Sequence, residues 1–137
     1  MTHASRPAGP WAVLAIASLA AFMVFLDTQV LFVAFDDIRA TWPDVSFAAM
    51  SWTLSAYTIA LAAALVPSGR LADRFGRKRT FMVGLVAFTL ASALCAVAAS
   101  PGLLIAFRVL QALGAAALVP ASLAVVLSVF PSEKVPV

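Results

Sequence analysis

The chain has 137 residues, of which 64% are hydrophobic and only 11% are charged, and its net charge is +3. Globular domains are about half apolar and about a quarter charged, so this composition excludes an ordinary soluble domain and indicates a membrane protein. One cysteine, Cys95, lies in an apolar segment, which excludes an intrachain disulfide and predicts a packing role; no metal site or cofactor is expected.

Four apolar segments follow one another along the chain, each close to the ~20 residues that a spanning helix needs. The first is too long for the apolar region of a signal peptide, so we interpret it as an uncleaved span. Ser100 and Pro101 predict the N-cap and first residue of the last helix. The predicted spans cover about 11–35, 47–66, 80–99 and 102–130, between a tail over residues 1–10 and a tail over 131–137.

A basic segment, residues 69–79, separates the second and third spans, whereas the link between the first and second spans is acidic. The positive-inside rule therefore predicts that the basic segment and both chain ends are cytoplasmic, in an all-α, multi-pass protein of the cell membrane, the inner membrane if the source is bacterial. Basic residues beside a span indicate topology or contact with the lipid bilayer, so we expect no nucleic-acid partner. The sequence contains neither a phosphate-binding glycine loop nor a Ser/His/Asp set, and it predicts no enzyme.

Two ionisable residues, Asp27 and Arg108, lie inside predicted spans, where they usually face a cavity or a partner. Asp27 lies about 12 Å before the end of the first span and Arg108 about 9 Å after the start of the fourth, at the same membrane surface. Their similar depth predicts a pair, and separating such a pair would let Asp27 take up a proton. Gln111, three residues after Arg108, is expected on the same helix face.

The alternative is an ion pair that only holds two helices together. Gln29, two residues from Asp27, is expected on a different face of the first span. Trp52 and Tyr57 in the second span are candidates for lining a substrate cavity or for packing between helices, and the sequence leaves both open.

Residues 69–79, which read Gly-Arg-Leu-Ala-Asp-Arg-Phe-Gly-Arg-Lys-Arg, resemble the signature segment between the second and third helices of the major facilitator superfamily. Residues 104–116 resemble the fourth-helix signature of its proton-coupled members, with Arg108, Gln111 and Gly114 matched. Leu26-Asp27-Thr28 with Val33-Ala34 resembles, in part, the first-helix signature of the drug:proton antiporter branch with fourteen helices.

This resemblance implies proton-coupled efflux of small amphipathic compounds, with protons and a small-molecule substrate as partners. It assigns proton coupling to Asp27, Arg108 and Gln111. It also implies a gating function for the signature segment, carried by Gly69, Asp73, Arg74, Gly76, Arg77 and Lys78.

Members of that family have twelve or fourteen helices, built from three-helix repeats around a site between two halves. Four spans match only the N-terminal part of such a bundle, so we expect a fragment whose C-terminal helices are missing or supplied by a separate chain. Two alternatives stay open. One is a self-sufficient four-helix exporter that acts as a dimer, and the other is a membrane protein that transports nothing and serves as an interaction partner or is inactive.

Overall fold

A computed structural model describes residues 9–129 of the chain, and the predicted tails therefore lie almost entirely outside the described residues. Over that range the chain forms five α-helices and, within it, no strand. They are α1 (Pro10–Val33), α2 (Phe35–Thr41), α3 (Phe47–Phe75), α4 (Arg77–Ala96) and α5 (Pro101–Val129).

Four of these helices, α1, α3, α4 and α5, are long and apolar enough to cross a membrane. Large apolar side chains such as Phe25, Val66 and Val83 are more than half exposed on their outer faces. Such surfaces suit contact with lipid or with further helices, because a helix makes its backbone hydrogen bonds within itself. The all-helical membrane class predicted from composition is confirmed.

Local chemistry explains where the helices begin. Pro10 occupies the first turn of α1, where a missing N–H is tolerated. Ser46 caps α3, since its hydroxyl accepts a hydrogen bond from the Ala49 amide at 3.2 Å. At α5 the Leu103 amide donates to the Ser100 hydroxyl at 3.3 Å, as predicted for this N-cap. Pro67 and Pro120 both lie inside long helices, α3 and α5.

The basic segment is helical on both sides of Gly76, although the predicted spans end at residue 66 and resume only at residue 80. Helix α3 continues nine residues beyond the predicted end of the second span, to Phe75, and α4 starts at Arg77. Polar residues mark where a span leaves the apolar layer, but nothing between Pro67 and Phe75 interrupts the backbone hydrogen bonds. The break falls at Gly76, whose φ of 97° and ψ of 133° lie outside the helical region. The acidic link is also partly helical, as α2.

Helix α5 lies at the centre, packed extensively against α4 and α3 and also contacted by α1. Its contact face is rich in small residues, and Ala112, Ala115, Ala116 and Ala121 are completely buried. Small side chains let helix backbones approach closely, which is how membrane helices associate without a hydrophobic driving force from water. The central position of α5 brings Arg108 and Gln111 to the inside of the bundle.

Candidate functional site

The structure brings Asp27 of α1 and Arg108 of α5 into direct contact. Arg108 Nη1 donates to Asp27 Oδ2 at 2.6 Å. The Arg108 side chain is 3% exposed, whereas that of Asp27 is 20% exposed. A guanidinium buried to this degree needs a counter-charge, because an unpaired charge in a low-dielectric interior is strongly unfavourable. The pairing inferred from similar membrane depth is therefore present in the fold.

Gln111 joins both members of this pair. Its Oε1 accepts from Arg108 Nη1 at 2.6 Å, and its Nε2 donates to Asp27 Oδ1 at 2.8 Å. The same Nε2 donates to the Ser92 hydroxyl of α4 at 2.9 Å. Arg108 and Gln111 are three residues apart, which places them on one face of α5. One completely buried amide thus connects three helices, α1, α4 and α5, through hydrogen bonds.

Tyr57 of α3 completes the surroundings of Arg108. Its ring lies beneath the guanidinium, with Arg108 Cζ 4.1 Å from the ring centroid. This is a cation–π geometry, in which the negative face of the ring attracts the cation. Tyr57 is only 2% exposed, so it packs behind the arginine. Trp52, in contrast, is 54% exposed on the outside of α3.

A partly open cavity of about 430 Å³ borders the pair. Asp27 and Arg108 contribute its charged wall, and the rest is largely apolar. Its lining comes from α1, α2, α4, α5 and the links beside them, and includes Leu31, Ile38, Trp42, Cys95 and Leu104. Trp52 and Tyr57, which were candidates for lining a cavity, do not line this one. An apolar cavity with a few convergent polar groups is the usual form of a small-molecule site.

Two residues of α4 belong to the site although they were not predicted from the sequence. Ser92 accepts from Gln111, and Cys95 Sγ lies 3.7 Å from Gln111 Oε1 as a weak donor. Cys95 was predicted only to pack between helices, but it also contacts the Gln111 amide. The available signal was their spacing, because residues 92 and 95 share one face of the third span. Gln29 is exposed and lies away from the site, as its position predicted.

The signature segment forms a second, separate cluster. Arg77 Nη1 donates to the backbone carbonyl of Ala124 in α5 at 3.2 Å, and Arg77 Nη2 lies 4.0 Å from Asp73 Oδ1. Ala124 follows Gln111 by thirteen residues on the same helix, which separates the two clusters by about 20 Å along α5. Arg74 lies over the Phe75 ring at 5.5 Å.

Two glycines and a lysine are the remaining residues of the segment for which a gating role was predicted. A Cβ at Gly69 would lie 4.0 Å from Pro120 Cβ, an ordinary packing distance. Gly76 provides the break between α3 and α4. Lys78 is exposed. The structure thus ties this segment to α5 through Arg77, while the gating roles inferred for its residues stay predictions.

A family model and individual relatives of this chain point to the same protein family. Residues 17–137 match the Major Facilitator Superfamily. The chain is 38% identical over 125 residues to an uncharacterised MFS-type transporter of Mycobacterium tuberculosis, covering 91% of this chain and 21% of that protein. It is 42% identical over 124 residues to a probable actinorhodin transporter of Streptomyces coelicolor, covering 90% and 21%.

A further relative is the tetracenomycin C resistance and export protein of Streptomyces glaucescens. Identity there is 34% over 125 residues, covering 91% of this chain and 23% of that protein. The chain therefore spans only about a fifth of the length of the curated relatives it matches.

Proposed function

This chain belongs to the major facilitator superfamily, and we propose that it works in the proton-coupled export of small amphipathic compounds. Membership of this family points to a transporter rather than an enzyme, in a multi-pass protein of the membrane. Two of the relatives are named for transport of actinorhodin and for resistance to and export of tetracenomycin C. Those substrates are properties of the relatives, and for this chain the class of compound is part of the proposal.

One observation carries the proposal: the Asp27–Arg108 pair, joined by Gln111, borders an apolar cavity. A carboxylate within a membrane span is unfavourable unless it is paired or used. The Asp27 side chain keeps 20% exposure, so water in the cavity can reach it, whereas Arg108 is almost completely buried. Asp27 is thus the member of the pair that can exchange a proton with the cavity.

The proposed cycle follows from the charges. Ionised Asp27 accepts from Arg108 and from Gln111, which holds α1 against α5. When Asp27 takes up a proton, its attraction to the guanidinium falls, and the contact between the two helices weakens. A proton gradient can then favour one arrangement of the helices over another, and a cationic or polar substrate group in the cavity competes for the same carboxylate.

The signature segment is proposed to work at the opposite end of α5 from the Asp27 site. Its basic residues, including Arg77 and Lys78, favour a cytoplasmic position under the positive-inside rule, which would place both chain ends in the cytoplasm. Gly69, Asp73, Arg74 and Gly76 are proposed to form a gate with helices beyond the four described here. Since the chain covers about a fifth of its relatives, we propose that those further helices complete the transport path.

The test is transport by inverted membrane vesicles that carry the chain alone, or the chain together with the remaining helices of a full-length relative. A fluorescent cationic dye reports uptake after a pH gradient is imposed. We expect gradient-driven uptake with the helices supplied, and its loss in Asp27→Asn. The matched control is Asp44→Asn, which neutralises an exposed carboxylate outside the helices.

Three results would separate the alternatives. Uptake by the chain alone would favour the self-sufficient four-helix exporter. Uptake in neither preparation would contradict the proposed function and favour a chain that transports nothing. Uptake that is unchanged in Asp27→Asn would contradict proton coupling at this carboxylate while leaving transport itself intact.

A further inference from the structure

The Arg108 guanidinium has hydrogen-bond acceptors at one of its edges and an aromatic ring against its face. All hydrogen bonds that the structure records for the guanidinium use Nη1, toward Asp27 and Gln111. Arg108 Nε is buried and, within residues 9–129, has no hydrogen-bond partner. The Tyr57 ring, 4.1 Å from Cζ, is the aromatic face that covers the guanidinium. The cation therefore has three sources of electrostatic stabilisation: the Asp27 carboxylate, the Gln111 amide oxygen and the Tyr57 ring.

Only the Asp27 carboxylate among these sources changes its charge when it binds a proton. The ionisable groups where the four helices meet are Asp27 of α1, Tyr57 of α3, Cys95 of α4 and Arg108 of α5. If Asp27 becomes neutral, the guanidinium loses its counter-charge, yet it remains 3% exposed and cannot reach water without a rearrangement. A ring quadrupole does not titrate, so the attraction of Tyr57 persists in both states of Asp27.

We propose that Tyr57 is a positioning residue that holds the Arg108 guanidinium in place through the face of its ring while Asp27 is neutral. This inference rests on the proposed protonation of Asp27. It gives the arginine a fixed position from which it can displace the proton again. Without the ring, the uncompensated cation would leave its buried position, and the pair could not re-form at the same place.

The ring, and not the hydroxyl, carries this role. The Tyr57 hydroxyl is buried near Thr28 but forms no hydrogen bond of adequate geometry with any described residue. The Thr28 hydroxyl itself donates to the Val24 carbonyl at 3.3 Å. A hydroxyl that positioned the ring would need a partner, because burying an unpaired polar group is unfavourable. Phenylalanine should therefore replace Tyr57 without loss, whereas leucine should not.

The test compares thermal unfolding of the purified chain in one detergent, with Tyr57→Phe and Tyr57→Leu made in the native protein and in Asp27→Asn. The asparagine imitates the neutral carboxylate. We expect Tyr57→Phe to leave the unfolding midpoint unchanged in both. Tyr57→Leu should lower it by on the order of 5 °C more in Asp27→Asn than in the native protein. The matched control is Phe88→Leu, a buried ring on α4 whose loss should be equal in both backgrounds.

An equal effect of Tyr57→Leu in the two backgrounds would overturn the proposal, because the ring would then contribute packing alone. If Asp27→Asn does not fold, the native background decides. There Tyr57→Leu must lower the midpoint more than Phe88→Leu, and an equal or smaller effect overturns the proposal. These measurements do not involve transport, so a failure of proton-coupled export is distinguishable from a failure of this inference.

A spectroscopic measurement gives independent evidence, because Tyr57 is the single tyrosine of the chain. Uniform labelling with 3-fluorotyrosine therefore yields one fluorine resonance, from the ring beneath Arg108. We expect its chemical shift to change between the native protein and Asp27→Asn, because the carboxylate no longer offsets the field of the guanidinium that stays over the ring. Ser92→Ala alters a hydrogen bond but no charge, so it should leave the fluorine chemical shift unchanged. Identical shifts in the native protein and Asp27→Asn would contradict the proposal.

Discussion

Gly114 of α5 and Phe88 of α4 approach so closely that a Cβ at position 114 would lie 2.6 Å from the Phe88 backbone nitrogen. Gly84 on α4 faces the same crossing, where an added Cβ would lie 2.9 Å from Ala117 Cβ. Two glycines on facing helices thus bring the backbones together, and α4 and α5 share the most extensive contact in the described bundle. Ser92 lies one turn after Phe88 on α4, and Gln111 lies one turn before Gly114 on α5. The crossing therefore also sets the position of the site.

Gly114→Ala should destabilise the fold because the nearest atoms belong to backbone, which cannot move aside as a flexible side chain could. We expect the free energy of unfolding to fall by about 1–3 kcal/mol, the usual effect of overpacking. Gly102→Ala is the control, since nothing lies within 4 Å of a Cβ there. Thermal unfolding in detergent would measure both. A Gly114→Ala protein as stable as Gly102→Ala would contradict the close crossing.

Gly76 should be sensitive for a different reason, its backbone conformation. A Cβ there would meet no atom within 4 Å, but φ is 97° and ψ is 133°, a region that glycine alone occupies readily. Gly76→Ala should lower the free energy of unfolding by about 1–3 kcal/mol. Asparagine should be no better, because the left-handed region it tolerates has a much smaller ψ. Unfolding midpoints would test this, and full stability of Gly76→Asn would argue against it.

Gln111→Leu should destabilise the fold more than Ser92→Ala, which removes one of its hydrogen-bond partners. Leucine keeps the apolar volume but leaves Asp27 Oδ1 and the Ser92 hydroxyl without their shared donor. We expect a loss of at least about 1–3 kcal/mol, against about 0.5–1.5 kcal/mol for Ser92→Ala. Chemical denaturation of the two variants under one set of conditions provides the measurement. Equal losses would mean that the amide does not unite the three helices.

Arg77→Lys should change local motion more than global stability. The Arg77 side chain is 47% exposed, so its weak pairing with Asp73 contributes little, and lysine cannot reproduce the planar geometry of the donor to Ala124. We expect a change in unfolding free energy within about 1 kcal/mol, but faster amide exchange in the last turns of α5. Lys78→Arg is the control on the neighbouring residue. Unaltered exchange in Arg77→Lys would contradict this anchoring.

The spans could be predicted from sequence because hydropathy depends on composition within a window, and four apolar windows are unmistakable here. Asp27 and Arg108 could be paired because depth in a membrane is a one-dimensional quantity that residue counting provides. Gln111 followed from its spacing of three residues. Each of these inferences needs only distance along one helix.

The remaining features depend on how helices rotate and cross, which spacing along one helix does not determine. Tyr57 could have faced lipid, a cavity or Arg108, and only the packing of α3 on α5 places it under the guanidinium. Ser92 and Cys95 looked like ordinary small residues of an apolar span. The continuation of α3 to Phe75 was missed because charge indicates the membrane boundary, whereas a helix ends where its hydrogen bonds end.

Helix α1 has 24 residues and packs chiefly against α5, and its buried side chains are small or aliphatic, such as Ala20 and Val24 before Asp27 and Leu31 after it. Such small side chains interlock weakly, and the charged hydrogen bonds are the strong attachment. The Asp27 carboxylate therefore provides the strongest attachment of a helix about 36 Å long to the rest of the bundle. If Asp27 takes up a proton as proposed, that single event would weaken the attachment of the whole helix α1 to the bundle.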